Sequence, residues 1–277
     1  PRLASGTICA AGTLGQIIPP SIILILLGDV LSSAYQEAQL AQGIFSPEPI
    51  SVGDLFVGAL LPGMLLVVLY MTYVFARSLL NPGVAPGMSA AQLQNSPGLV
   101  KNILVSLVPP LLLILLVLGS ILAGFATPSE AASLGAIGAL ILAGLKQKLS
   151  LEVMQSVMRG TLKITSMIFL IFIGAAFFSL VFRGLGGDDL IHELLSDLPG
   201  GTFTAVLIVM AFLFVLGFFL DFIEITYIIV PVVAPVLFML GVDPIWLGIM
   251  IAINLQTAFL TPPFGFALFY LKGVAPP

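Results

Sequence analysis

The sequence predicts an all-α polytopic membrane protein, and three observations predict it. Of its 277 residues, 59% are apolar and 8% charged, where a soluble domain carries roughly 25% charged residues. The apolar residues gather into long runs, each fit for a crossing helix of about 20 residues, so the chain has room for roughly seven such segments and their loops. Two of these runs are interrupted midway by polar residues and a Pro-Pro pair, at Gly12-Thr13-Leu14-Gly15-Gln16-Ile17-Ile18-Pro19-Pro20-Ser21 and at Asn254-Leu255-Gln256-Thr257-Ala258-Phe259-Leu260-Thr261-Pro262-Pro263-Phe264-Gly265. Irregular backbone survives inside a bilayer only where protein or a wet cavity covers it, so the interruptions mark interior sites.

Taken in order, residues 1–28 hold the first interrupted run (8–27), closed by Gly28-Asp29. Residues 29–54 form an acidic excursion with Asp29, Glu37, Glu48 and Asp54 and no Lys or Arg, partly helical over 32–42. Residues 55–145 supply three spans, at 55–75, 103–125 and 131–145, the first two separated by a Pro-, Gly- and Ser-rich loop with Arg77 and Lys101 at its edges. Thr127-Pro128-Ser129-Glu130 predicts the start of the third, with Thr127 as N-cap, Pro at the first helical position and Glu three residues on as a capping box. Lys146, Lys148, Arg159 and Lys163 stand against Glu152 in 146–163, where Leu151, Val153, Met154, Val157 and Met158 recur at helical spacing, predicting an amphipathic arm on the membrane surface. Residues 164–202 give a span and a loop with Asp188, Asp189, His192, Glu193 and Asp197; 203–240 are apolar around Asp221 and Glu224; 241–277 contain the second interrupted run.

The loop charges alternate acidic, basic, acidic, basic, acidic. Because Lys and Arg favour the cytoplasmic side, this order holds from end to end only if 203–240 leaves and returns on the outer side. It does so as two short spans or as a re-entrant hairpin turning near Asp221. The interrupted runs then lie antiparallel, which is the sign of an inverted-repeat secondary transporter.

The chemistry follows from the residue types. A Pro-Pro pair removes two N–H donors and disfavours helix in the residue before it. The freed carbonyls can coordinate a bare cation, and the half-helix beyond each break points a positive dipole end at an anion. The candidate cation ligands, by backbone or side chain, are Gly12, Thr13, Gly15, Ser21, Asn254, Thr257 and Thr261. The candidate substrate contacts are Pro20, Asp221, Glu224, Gln256 and Pro262. The competing structural readings are a plain proline kink at each break and, for Asp221 and Glu224, helix capping at a hydrated hairpin tip. His192 reads as a solvated surface residue, Asp188-Asp189 as a loop charge pair and Cys9 as a packing residue.

Several functions are excluded. The nine Lys and Arg are scattered, with no basic stripe interleaved with aromatics, so no nucleic-acid partner is expected. No His-Glu-x-x-His motif, nucleophile elbow or phosphate-binding glycine loop is present, so neither an enzyme nor a self-contained ATP-driven pump is expected. No organic cofactor or transition metal is expected either.

The co-linear set Arg2-Leu3-Ala4-Ser5-Gly6-Thr7, Gly12-Thr13-Leu14-Gly15, Ile18-Pro19-Pro20-Ser21, Ala126-Thr127-Pro128-Ser129-Glu130-Ala131-Ala132, Asp221-Phe222-Ile223-Glu224-Ile225, Asn254-Leu255-Gln256-Thr257 and Thr261-Pro262-Pro263-Phe264-Gly265-Phe266-Ala267 closely resembles the DctM-like large membrane (permease) subunit of the TRAP, or tripartite ATP-independent periplasmic, transporters. The resemblance covers the whole chain. It implies an elevator-type secondary transporter with inverted repeats, two discontinuous helices (8–27 and 245–271) and a re-entrant hairpin at 203–240. It further implies sodium as the coupling ion, an organic anion as substrate, a small membrane subunit and a periplasmic substrate-binding protein as partners, and a multi-pass location in the lipid bilayer of the bacterial inner membrane. A first hairpin is expected before Pro1 and a last span after Pro277. The long 29–54 excursion resembles the branch associated with mannitol, chloroaromatic or 2-oxoacid uptake. Two alternatives stand beside this reading: a proton-coupled carrier with Asp221 and Glu224 as relay groups, and a non-transporting scaffold or channel-like subunit.

Overall fold

The structure is a computed structural model that describes residues 2–85 and 98–261, together with 265, 267 and 271. About 81% of the chain is helical, and no strand occurs among the described residues.

The first interrupted run folds as α1 (Arg2–Thr13), a single 3-10 turn (Leu14–Gln16), a turn and bend through Ile17 to Pro20 with a cis Pro19-Pro20 bond, and α2 (Ile22–Ala41). Then come α3 (Val52–Leu80), α4 (Leu99–Leu122), α5 (Pro128–Leu145), α6 (Leu151–Gly184), α7 (Gly187–Ser196) and α8 (Gly201–Leu216). The last two described helices are α9 (Phe222–Met239), which contains a π-helical turn at Ile225–Ile229, and α10 (Pro244–Leu260). Their starts obey local capping chemistry. Ser21, Ser51, Ser150, Asp221 and Asp243 each accept a backbone N–H of the helix they precede, which satisfies one of the orphan donors at a helix start. The predicted capping box at Thr127 is present: its N–H donates to Glu130 Oε2 at 2.8 Å and the Glu130 N–H to Thr127 Oγ1 at 3.4 Å.

Five helices are long and apolar enough to cross a membrane: Val52–Leu80, Lys101–Leu122, Pro128–Leu145, Leu151–Gly184 and Phe222–Met239. The chain is thus an all-α multi-pass membrane protein. Helices α3 to α6 expose large apolar side chains over most of their surface, as lipid contact requires. The closely packed centre is made instead by α2, α9 and α10, with Leu24, Leu27, Leu31, Leu237, Leu247, Ile251 and Leu255 all buried. Gly248 lets α10 approach its neighbours: a Cβ there would lie 2.8 Å from a Leu55 methyl and 2.9 Å from one of Leu31.

Three sequence boundaries move. Gly28-Asp29 does not end the first interrupted run, because Gly28 packs on Val52 while Asp29 occupies an exposed helical position. α2 therefore continues 20 residues to Ala41, about 30 Å at 1.5 Å per residue, and takes up half of the acidic excursion. The amphipathic arm at 146–163 is not a separate helix. Residues from Leu151 belong to one uninterrupted α6 of 34 residues, since neither Gly160 nor the basic pair Arg159 and Lys163 interrupts helical hydrogen bonding. Finally, α3 runs to Leu80, past the stop expected near Arg77.

Candidate functional site at the broken helices and the hairpin tip

At the first break the helix tightens before it stops. The Ile17 and Ile18 N–H groups both donate to the Leu14 carbonyl, at 3.1 and 2.8 Å, and α2 restarts at once because Ser21 caps it. The Ser21 hydroxyl donates to the Gln16 carbonyl and accepts from the Leu24 N–H at 3.3 Å. One side chain thus ties together both sides of the break. Thr13 is buried, and its hydroxyl donates to the Ala10 carbonyl at 2.8 Å, leaving its oxygen lone pairs as acceptors. Gly12, Gly15 and Pro20 are exposed, so their backbone is open to approach.

At the second break α10 ends at Leu260, and Thr261 turns extended with φ −94° and ψ 131°, as a residue before proline must. Thr257 donates to the Asn254 carbonyl at 2.8 Å and Thr261 to the Thr257 carbonyl at 2.8 Å. Asn254 reaches sideways, and its Nδ2 donates to the Met210 carbonyl of α8 at 2.7 Å. Gln256 is 1% exposed. Pro262 lies outside the described residues.

α8 and α9 form a closed antiparallel pair. At its open end the Thr202 hydroxyl donates to the Leu240 carbonyl at 3.1 Å. At its tip a tight turn carries Gly217 to within van der Waals contact of α10, where a Cβ would meet that of Ala258 at 2.6 Å. Phe222 lies against Phe259, with ring centroids 6.4 Å apart. The hairpin tip and the second break therefore form one locus. α10 also packs on α1 and on the 3-10 turn of the first break, so both breaks flank the same helix.

The acids divide. Asp221 Oδ1 accepts the Phe222 N–H at 2.8 Å and caps α9, while Glu224 Oε2 is buried without a hydrogen-bond partner among the described residues. Three participants escape sequence reading. Gln16 Oε1 and Thr226 Oγ1 are also buried without partners, and Tyr70 of α3 reaches Gln256. Gln16 lies within the first polar stretch, where the Pro-Pro pair and the hydroxyls are the stronger signals. Thr226 in its π turn and Tyr70 within a span carry no local signal.

The segment after α6, expected as a loop, folds as α7, whose first turn is acidic, and the α6–α7 corner adds one tether. Arg183 forks onto Glu37 of α2 at 2.6 and 2.8 Å and lies 3.5 Å from Asp188, beside a cavity of about 380 Å³ that His192 and Asp189 also line. His192 is exposed, as expected. Among the described residues no three His, Cys, Asp or Glu side chains gather as metal ligands.

Comparison with known proteins gives one consistent answer. The family model described as "Tripartite ATP-independent periplasmic transporter, DctM component" matches residues 1–276. The C4-dicarboxylate TRAP transporter large permease protein of Vibrio cholerae is 30% identical, covering 99% of this chain and 60% of its own length. Its Pseudomonas aeruginosa counterpart is 28% identical, covering 98% and 58%. The 2,3-diketo-L-gulonate TRAP transporter large permease protein of Escherichia coli is 27% identical, covering 98% and 59%. The chain thus spans about three fifths of the length of the relatives it matches.

Proposed function

This chain belongs to the DctM component family of the tripartite ATP-independent periplasmic transporters, and from that premise we propose that it forms the sodium-coupled, anion-carrying part of a large permease subunit. The family is one of transporters rather than enzymes. The observation that carries the proposal is the shared locus of the hairpin tip and the second break, held by the Gly217–Ala258 contact and the Asn254–Met210 hydrogen bond. A helix that ends within a packed bundle leaves its last carbonyls without intrahelical partners, and they suit a small hard cation. The restart at Ser21 offers the opposite pole, the N–H end of α2, which favours an anion. Cation and anion sites at neighbouring breaks attract one another, so occupancy of one raises affinity for the other.

On this reading Gly12, Thr13, Gly15, Asn254, Thr257 and Thr261 supply cation ligands, while Ser21, expected from sequence to join them, stands at the N–H pole of α2. Pro20 and the hairpin acids border the anion. The substrate is an organic anion bearing a carboxylate, in keeping with the C4-dicarboxylate, sialic acid and diketogulonate named for relatives. α8 and α9 enter the inner membrane as a re-entrant hairpin and move with the broken helices as an elevator. A small membrane subunit and a periplasmic binding protein complete the system. The test is uptake by the full-length subunit reconstituted with both partners. Uptake should require an inward sodium gradient, and uptake driven equally well by a proton gradient without sodium would replace this reading with the proton-coupled one.

A further inference from the structure

A long apolar groove separates α1 from α3 and encloses about 1160 Å³, more than the roughly 300–1,000 Å³ of an ordinary ligand pocket. Its α1 wall is made largely of small residues, with Gly6, Ala10 and Ala11 leaving the space open. On α3 the groove runs from Val67 to Ser78, about 17 Å at 1.5 Å per residue. That is close to the depth of one leaflet, half of a hydrocarbon core of about 30 Å.

The two ends of the groove differ. The deep end meets the broken helices: Leu14 of the 3-10 turn and Leu260, the last residue of α10, both line it. One turn before Val67, a Cβ on Gly63 would lie 3.3 Å from Ile18 Cγ1, which places this part of α3 at the level of the first break. The other end carries Tyr73, Arg77 and Ser78, in the last turns of α3. Lys and Arg favour the cytoplasmic side and tyrosines gather at the membrane interface, so this end lies at the inner headgroup level. Arg77 is exposed. Both ion pairs among the described residues use Arg183, so Arg77 has no carboxylate partner among them.

We propose that this groove binds an anionic phospholipid of the cytoplasmic leaflet, with its phosphate on Arg77 and its acyl chains laid along α3 toward the breaks. A guanidinium matches phosphate oxygens two at a time, and basic residues between helices at this depth hold anionic headgroups. The apolar walls take the tails over the depth of one leaflet. The tail ends then rest against Leu14 and Leu260, so the lipid props both breaks from the side of α3. The inference requires no particular coupling ion and stands apart from the sodium-coupled reading.

Phosphatidylglycerol is the probe. The full-length subunit, purified in detergent with its membrane partner, is melted against increasing phosphatidylglycerol or phosphatidylcholine at fixed salt, and the lipid concentration giving half of the stabilisation is read. The parent should respond to phosphatidylglycerol at a concentration lower by about fivefold or more, the share of one cation near the membrane surface. Arg77→Gln should abolish that preference, and Arg77→Lys should keep most of it. Gly6→Leu fills the groove and leaves the charge in place, since a Cβ on Gly6 would meet nothing within 4 Å. It should raise both midpoints by about tenfold or more, as overpacking of a binding groove costs. Arg159→Gln, on α6 away from the groove, should move neither midpoint by more than about twofold, a remote exposed charge being screened by salt. Equal response of the parent to the two lipids overturns the headgroup assignment, and unmoved midpoints in Gly6→Leu overturn the groove. A parent that responds to neither lipid shows the groove filled by protein and overturns the proposal. Should Gly6→Leu fail to fold, Arg77→Gln beside Arg159→Gln decides the matter, because an equal loss of preference in both assigns the effect to diffuse surface charge and overturns the site.

Discussion

Gly217→Ala adds one methyl group where the hairpin tip meets α10. Gly217 has φ −63°, which any residue adopts, so the backbone does not resist the change, and the smaller freedom of the unfolded chain favours alanine by about 0.4–1 kcal/mol. Packing opposes it: the new Cβ would stand 2.6 Å from the Ala258 Cβ, well inside carbon–carbon contact of about 3.5–4.0 Å. Ala258 is fully buried, and a Cβ has no torsion with which to swing aside. The strain must be relieved by displacing the tip from α10, at the cost of about 1–3 kcal/mol typical of overpacking. Steric cost matches or exceeds this entropic gain, so the tip separates from the second break. The expected result in proteoliposomes is a fall in maximal uptake of about fivefold or more, one such factor per kcal/mol. Gly217→Ala/Ala258→Gly removes the opposing methyl and should recover uptake to within about twofold, despite the roughly 1 kcal/mol that glycine costs within a helix. Parent-level uptake in the single variant would refute the claim that this contact seats the hairpin, and so would failure of the second change to rescue a folded protein.

Asp221 is a cap in the structure, so Asp221→Asn, which keeps a capping oxygen, should leave thermal stability nearly unchanged, while Asp221→Ala should cost about 1 kcal/mol. If instead uptake collapses in Asp221→Asn while stability holds, the carboxylate charge matters beyond capping. Ser21→Ala removes both the cap of α2 and its tie to Gln16, and the Ile22 to Leu24 amides should then exchange hydrogen about fivefold faster, the equivalent of a cap worth about 1 kcal/mol. Exchange unchanged by mass spectrometry would show that packing alone holds the restart.

What could be read from residue order was whatever depends on neighbours within a turn or two. The capping box at Thr127 and the exposed position of His192 are of that kind. The length of α2 was not legible, because Gly28 looks like a stop until Val52 is seen filling the space beside it. Arg159 and Lys163 likewise suggested an arm apart from the span, yet charge on one face of a helix sets its depth in the bilayer and not its continuity. The contacts that assemble the candidate site join residues far apart in the chain: Asn254 with Met210, Gly217 with Ala258, Gln256 with Tyr70. No periodicity encodes such pairs.

A Pro-Pro pair is not in itself what breaks a helix here. Pro109 and Pro110 lie within α4, which runs through them from Leu99 to Leu122, although each removes a donor from the carbonyl four residues back, at Val105 and Ser106. Pro19 and Pro20 stand where the helix has already stopped. What differs is what flanks the pair. Glycines precede Pro19, relaxing the chain into the 3-10 turn, and Ser21 follows Pro20 directly, so a new helix can begin with its first donors satisfied. After Pro110 come Leu111, Leu112 and Leu113, and no Ser, Thr, Asp or Asn appears until Ser120. A break at Pro110 would leave uncapped N–H groups facing lipid, each costing several kcal/mol, whereas staying helical forfeits only two hydrogen bonds. Cap and break therefore come together. The signal that distinguishes the Pro19-Pro20 interruption from Pro109-Pro110 is a cap directly behind the pair and polar residues ahead, and a break of that kind leaves carbonyls and N–H groups arranged for ions rather than for lipid.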